Sequence, residues 1–360
     1  MLPNPRCARG RPGSSPRCET GPVSNSSPAP RAAPRLPPLA DLLDDAHVVQ
    51  LPLRTRFRGL DAREALVVEG PNGWTEFSPF VEYGPAEASA WLAATIDFGW
   101  GVEHTTRASS VAVNATLPTV APGEVRTVLD RYPGCRTVKV KVADPGETLR
   151  DDVARVAAAR EYIGDSGRVR IDANGAWTVA QAEEALVALA PYALEYVEQP
   201  CATVPELAEL RRRTAGLGVP VAADESVRKA ADPLAVARAG AADLLVIKAQ
   251  PLGGITAALD IFVAAGLPVV VSSALDTSVG LSMGAHLAAA MPELRHDCGL
   301  GTAALLAADV TRAPLLPVDG AIEVRRVDVD VDLLRRHAAS DDRREFWLER
   351  LRASYAVLAG

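Results

Sequence analysis

Downstream of residue 107 the chain alternates between two textures. Short runs rich in β-branched residues are SSVAVNATL, TVKVKV, RVRIDAN, ALEYVEQP, VPVAADES, ADLLVIKAQ, LPVVVSSAL and HDCGLGTA. Between them lie Ala-rich stretches such as ETLRDDVARVAAAREYIG, TVAQAEEALVALAPY and SVGLSMGAHLAAAM, which read as helices. The runs have the length and composition of buried strands. Strand and helix in alternation mean βαβ units and a parallel sheet. Eight such strands, separated mostly by single helices, predict a closed barrel over 107–326 rather than an open doubly wound sheet.

Upstream, AHVVQLPLRTRFRG, REALVVEGPNGWTEFSP and AEASAWLAATIDFG read as a strand, a hairpin-like strand pair and a helix. The Asn72-Gly73 pair signals a tight turn. Residues 45–106 thus form a small α+β unit. Near the other end, RRVDVDVDLLRRHAASDDRREFWLERLR reads as a strand followed by an amphipathic helix with a solvated charged face. Residues 1–40 differ from all of this. Dense in Pro, Ser, Gly and Arg and almost without large apolar residues, they are expected to be a disordered extension. They contain no apolar core of the kind a secretory signal carries.

Charge and cysteine usage narrow the classes. A net charge of −7 argues against a general nucleic-acid binder, which needs a basic surface. No apolar run is long enough to span a bilayer, so no membrane partner is expected. The five cysteines, Cys7, Cys18, Cys135, Cys201 and Cys298, never form a CxxC pair. They read as reduced thiols of a cytoplasmic protein. Monomer and homo-oligomer are both compatible with the sequence.

The chemistry lies where the strands end, because barrels of this type carry their reactive groups at the C-terminal ends of the strands. Those ends offer, in order, Lys139 and Lys141, Asp172 and Asn174, Glu198, Asp224 and Glu225, Lys248, Ser272 and Ser273, then Gly299 and Gly301. Asp172 to Glu198 and Glu198 to Asp224 are each 26 residues, and Asp224 to Lys248 is 24. Each step is one βα repeat, so the groups recur at one height around the barrel mouth. Three converging carboxylates repel one another and raise each other's pKa. A divalent cation resolves the repulsion, and an all-oxygen donor set favours Mg²⁺, with Mn²⁺ as a substitute. The expected metal ligands are therefore Asp172, Glu198 and Asp224.

TVKVKV fits the same picture. Residues two apart on a strand point the same way, so Lys139 and Lys141 share one face and the valines the other. Burial, a second ammonium and a divalent cation all lower a lysine's pKa toward that of a useful base. Lys141, nearer the strand end, is the expected base, and Lys139 its tuner.

The ordered set KxK, DAN at 172–174, EQP at 198–200, ADES at 223–226 and the lysine of VIKAQ resembles the enolase superfamily, in its muconate-lactonizing branch. The resemblance covers roughly residues 45–325. Within that branch, GWTEFSPFVEYGPAEASAWLAA and SSALDTSVGLSMGAHLAAA are most similar to the o-succinylbenzoate synthase family. The resemblance implies a (β/α)7β TIM-like barrel with a small α+β capping domain, the cap built from 45–106 and completed by about 327–360. It implies Mg²⁺-dependent dehydration of a small dicarboxylate substrate, with Lys141 and Lys248 on opposite faces of the ring as the catalytic pair. It also implies substrate contacts from Lys139, Asn174, Ser272 and Gly301, with Arg56, and its neighbour Arg54, reaching from the cap. The alternative on the same scaffold is an N-acylamino acid racemase or dipeptide epimerase, for which two facing lysines are equally suited. A dinucleotide-binding reading of GLGTAA at 299–304 fails on position, since that fingerprint opens a first βαβ unit and this one ends the last.

Overall fold

The computed structural model describes residues 36–229 and 232–360. The extension expected over 1–40 lies outside the described residues except for its last five, and these are ordered. Helix α1 (Leu39–Leu43) buries Leu42, and the Pro37 carbonyl accepts the Tyr355 hydroxyl at 2.9 Å. The packed chain therefore begins before residue 45.

The cap opens with β1 (His47–Phe57), β2 (Leu60–Gly70) and β3 (Gly73–Phe77), an antiparallel sheet in that order. The β1–β2 turn is Arg58-Gly59, with φ of 52° and 75°. Two successive left-handed residues give the backbone twist that matches the flanking strands. At the second turn Gly70 pairs with Gly73, so the loop is Pro71-Asn72, one residue earlier than the Asn-Gly signal suggests. Helix α2 (Pro85–Trp100) then buries Trp91, Leu92 and Ile96.

The barrel starts with two short strands. Strand β4 (Ser110–Ala112) is a rim piece, and β5 (Ala115–Leu117) is the first barrel strand. The barrel continues as β6 (Thr137–Lys141), β7 (Arg168–Asp172), β8 (Leu194–Glu198), β9 (Val221–Ala223), β10 (Leu244–Ile247) and β11 (Val269–Val271), all parallel and in sequence order. The eighth strand is residual but it closes the ring. Cys298 bridges Val113 and Gly299 bridges Ser272, both in parallel sense. The Cys298 amide donates to Ala112 O at 2.8 Å and the Gly299 amide to Val271 O at 2.8 Å. The result is the (β/α)7β barrel with a small α+β cap.

Helices α3 (Val125–Leu129), α4 (Leu149–Ile163), α5 (Val179–Leu189), α6 (Val204–Arg213), α7 (Glu225–Arg228), α8 (Ala235–Arg238), α9 (Ile255–Ala265) and α10 (Ser278–Ala290) intervene between these strands or follow the last. Thr178 with Gln181 and Thr203 with Glu206 form capping boxes that start α5 and α6.

Strand β12 (Ala321–Glu323) pairs antiparallel with β4, and α11 (Val331–Arg336) and α12 (Asp341–Ala359) end the chain. The strand expected from the VDVDVD alternation does not form. The Asp330 carboxylate accepts the Leu333 amide at 3.0 Å and starts a helix instead, because short acidic side chains offer the backbone an alternative to a ladder. No helix among the described residues is long and apolar enough to cross a membrane.

Candidate active site

Strand parity builds the site. On β6, Val138 and Val140 face the helix layer, in one apolar core with Val156 and Ala159 of α4. Lys139 and Lys141 therefore face the barrel interior. The register places Lys141 beside Asp172 and Asp172 beside Glu198. Asp224 and Lys248 directly follow β9 and β10. Two residues below the site groups on the same faces, Tyr196, Ala222, Val246 and Val270 join Leu244 in a separate apolar cluster. This cluster is the apolar floor of the site.

Asp172, Glu198 and Asp224 are each 1% exposed. The Lys139 ammonium bridges two of them, at 2.8 Å from Asp172 and 2.5 Å from Glu198. Lys141 stands 2.5 Å from Asp172, and Lys248 2.5 Å from Asp224. Burial pushes the Glu198 carboxyl up to about 7, and the charges of Asp172 and Asp224 add to this against Lys139 and Lys248. Asp172 is held well below the usual carboxylate range: burial opposes its charge, but Lys139 and Lys141 outweigh burial. Lysine ammoniums stand between the acids, and among the described residues no three His, Cys, Asp or Glu side chains are gathered into a preformed metal cage. The donor set nonetheless fits a hard divalent cation. It is all carboxylate oxygen, it comes from three adjacent strands, and one member, Glu198, is too deeply buried and too near like charge to ionise readily.

The lysines differ in state. Burial works against the charge of Lys139, but Asp172 and Glu198 outweigh it and raise its pKa. Burial lowers the pKa of Lys141, Asp172 opposes, and the Lys139 charge lowers it further. Asn174 completes the neighbourhood at φ 48°. It accepts from Lys141 Nζ at 2.8 Å, its amide donates to Asp172 at 3.0 Å, and its side-chain nitrogen donates to Glu225 at 3.2 Å.

Lys139, Lys141, Asp172, Asn174, Lys248, Ser272, Ser273, Gly299 and Thr302 line one inner cavity of about 30 Å³, roofed by Phe57, Arg58 and Phe80 of the cap. Beside it lies a cleft of about 670 Å³ that shares Phe57, Arg58, Lys141 and Asn174. Arg56 lines this outer cleft and not the inner cavity. Arg54 is spent on the Leu306 carbonyl at 2.9 Å. Gly301 is not brought to the cavity; a side chain there would meet Asn114 O at 2.7 Å and the Tyr132 ring.

Three residues that the sequence analysis passed over belong to the site. Arg58 lines both spaces, its guanidinium 4.3 Å from the Phe80 ring centre; its signal is the Arg-Gly turn at the hairpin tip. Gln199 of EQP accepts the amides of Asp224 at 3.0 Å and Ser226 at 3.1 Å, which ties β8 to the end of β9. Arg228, four residues beyond Asp224 on one helical turn, donates to Asp224 at 3.1 Å and to the Tyr83 hydroxyl of the cap at 2.8 Å.

Comparison with known proteins agrees with this geometry. Residues 48–99 match the family described as enolase N-terminal domain-like, and 123–327 the family described as enolase C-terminal domain-like. The o-succinylbenzoate synthase of Mycobacterium marinum is 54% identical over 321 residues, covering 89% of this chain and 96% of its own. That of Mycobacterium tuberculosis is 54% identical over 326 residues, covering 90% and 98%. Among solved structures, the muconate lactonizing enzyme of Pseudomonas putida superposes with a TM-score of 0.68 at 22% identity, covering 82% of this chain and 98% of its own.

Proposed function

Because this chain belongs to the o-succinylbenzoate synthases of the enolase superfamily, we propose that it dehydrates 2-succinyl-6-hydroxy-2,4-cyclohexadiene-1-carboxylate to o-succinylbenzoate in the menaquinone pathway. It is an enzyme, a carbon–oxygen lyase of the hydro-lyase kind. The observation that carries the proposal is that Lys141 and Lys248 line one cavity from barrel strands two and six of eight, on opposite sides of the ring.

Asp172, Glu198 and Asp224 would hold Mg²⁺, or Mn²⁺ in its place. The bound cation would supply Lewis-acid polarisation of the substrate carboxylate and so acidify the neighbouring C–H. Lys141 acts as an amine. It breaks the α-C–H bond by taking the proton, then returns that proton as an ammonium to the departing hydroxyl, which leaves as water. A syn elimination needs only this one acid–base group. Lys248 faces the opposite side of the ring, where its fixed charge offsets the electron density that develops on the carboxylate side. Lys139 keeps its charge beside Lys141 and favours the neutral amine there. Asn174 holds the Lys141 nitrogen in place. Arg58 takes the succinyl carboxylate, with Arg56 further out along the cleft, and Ser272 contributes to the cavity wall. The three described cysteines are free, which supports a cytoplasmic setting.

The test is an ultraviolet assay on purified protein with Mg²⁺ and then with chelator, beside a Lys141→Ala variant. The expected outcome is Mg²⁺-dependent aromatisation that falls by about 10²–10⁴-fold in the variant. A folded, Mg²⁺-loaded protein that leaves the substrate unchanged would sink the proposal. Racemisation of N-acylamino acids uses the same pair of facing lysines, and α-hydrogen exchange in heavy water reads it directly.

A further inference from the structure

Against the backbone of Lys141 lies a buried charged pair. Arg155 of α4 is 1% exposed and Asp152, one turn earlier, is 2% exposed. The Arg155 fork spreads over backbone and carboxylates at once. Its Nε donates to Val120 O at 2.9 Å. Its Nη1 donates to the carbonyl of Lys141 itself at 2.9 Å, and to Asp152 at 3.0 Å. Its Nη2 meets the Glu147 carboxylate. The other oxygen of Asp152 accepts the Ala143 amide at 3.0 Å. Ala143 is held at φ 62°, a left-handed conformation that costs a residue with a Cβ.

This arrangement exceeds what packing needs. A helix seated on a strand is held by apolar contact, and Val156 and Ala159 already supply it. A buried ion pair in such a seam adds little stability over apolar residues of the same size. What the pair does is fix particular backbone groups. It fixes the carbonyl of Lys141, the amide two residues on, and the carbonyl of Val120 beyond the first barrel strand. All lie at or beside the wall of the outer cleft, which includes Pro118, Thr119, Lys141, Val142, Ala143 and Asp144. A planar fork is needed to reach several acceptors together, and a lysine ammonium cannot do it.

We propose that Arg155, braced by Asp152, is a positioning residue for the base. It sets the direction in which the end of β6 delivers the Lys141 side chain. The proposal rests on the reading of Lys141 as the base. Lys141 reaches into the cavity through a long stem whose nitrogen is held by Asp172 at 2.5 Å and Asn174 at 2.8 Å, so the direction in which the backbone launches that stem decides where Nζ is held. A displacement of about 1 Å at a reacting group costs about 10²-fold in rate.

The experiment compares wild type, Arg155→Lys and Asp152→Asn in steady-state kinetics, Mg²⁺ titration and crystal structure. The expected result for Arg155→Lys is a kcat about 30-fold to 100-fold lower, with KM and the Mg²⁺ midpoint within about twofold of wild type. Asp152→Asn retains an acceptor for Ala143 and loses less. In the crystal structure the Lys141 carbonyl and Nζ move while Asp172, Glu198 and Asp224 stay. An unchanged kcat, or a loss shared equally by KM and metal affinity, would overturn the proposal. If wild type itself fails on the substrate, the functional reading falls. The crystal structures then decide the positioning role, and an unmoved Lys141 rejects it.

Discussion

At the scale of single residues, the placement of the candidate site was legible where a side chain's direction follows from its place on a strand. The KxK pair, the acids at one-repeat spacing and Lys248 all sit at strand ends with inward parity, and parity can be read from sequence. Arg58, Gln199, Arg155 and Arg228 act through turns, backbone groups and contacts between cap and barrel, and no periodicity reports those. Asp276 is another such residue. It is buried at the cap–barrel seam, where burial first and the Glu76 charge second push its carboxyl up to about 7, against Arg63 and Lys248. A carboxyl raised in the folded chain keeps a proton there that the unfolded chain has already released. Its contribution to stability is therefore fully present below about pH 4 and lost as the pH rises toward 7. Asp276→Asn removes that loss. Thermal midpoints at pH 5 and pH 8 should show the variant gaining on wild type at the higher pH. An offset that is the same at both would show that Asp276 does not titrate in this window.

At the scale of elements, the barrel strands and most helices follow from run length and spacing, and the second hairpin of the cap from its Asn-Gly signal, one residue off, whereas the Arg58-Gly59 turn of the first was not read. What failed was local competition, as at Asp330, where a capping carboxylate displaced the strand that alternation predicted. The eighth barrel strand was visible in sequence but shrank to two bridging residues, because Gly299 packs against Ser272 and the chain then turns into a short helical segment. How cap and barrel elements meet was not legible at all. The Asp97 carboxylate of α2 accepts the first amide of α9, from Ile255, at 2.8 Å. This approach is possible because Gly254 stands at φ 116° with no side chain; a Cβ there would lie 2.5 Å from Asp97 Oδ2. Gly254→Ala incurs backbone strain and a clash together. It should destabilise the protein by about 1–3 kcal/mol, measured by denaturant titration. A loss within a few tenths would show that the cap helix and α9 separate easily.

At the scale of the molecule, the chain's last helix is joined to the candidate metal site by a short series of hydrogen bonds. Arg350 of α12 donates to the carbonyls of Phe80 and Tyr83, each at 2.6 Å, and so fixes the turn that follows β3. Phe80 of that turn roofs the inner cavity, packed against Arg58 and Arg63 at 4.3 and 4.6 Å from its ring centre. The Tyr83 hydroxyl accepts from Arg228, and Arg228 donates to Asp224. The cap is thus more than a cover, since one of its tyrosines accepts from the Arg228 guanidinium that lies against Asp224. Tyr83→Phe deletes one oxygen, leaves the apolar packing of the ring in place, and strands a buried guanidinium nitrogen without its acceptor. Outer partners of ligating carboxylates typically alter metal affinity by 10–100-fold when removed. The expected result is an Mg²⁺ midpoint, read as ligand-induced thermal stabilisation, that rises about tenfold in Tyr83→Phe. Arg228 would then be free to turn further onto Asp224 and compete with the cation. An unchanged midpoint would mean that Glu225, which also accepts from Arg228 at 2.6 Å, holds the guanidinium in place without the cap, and that the two parts of the molecule share a cavity without sharing control of the metal.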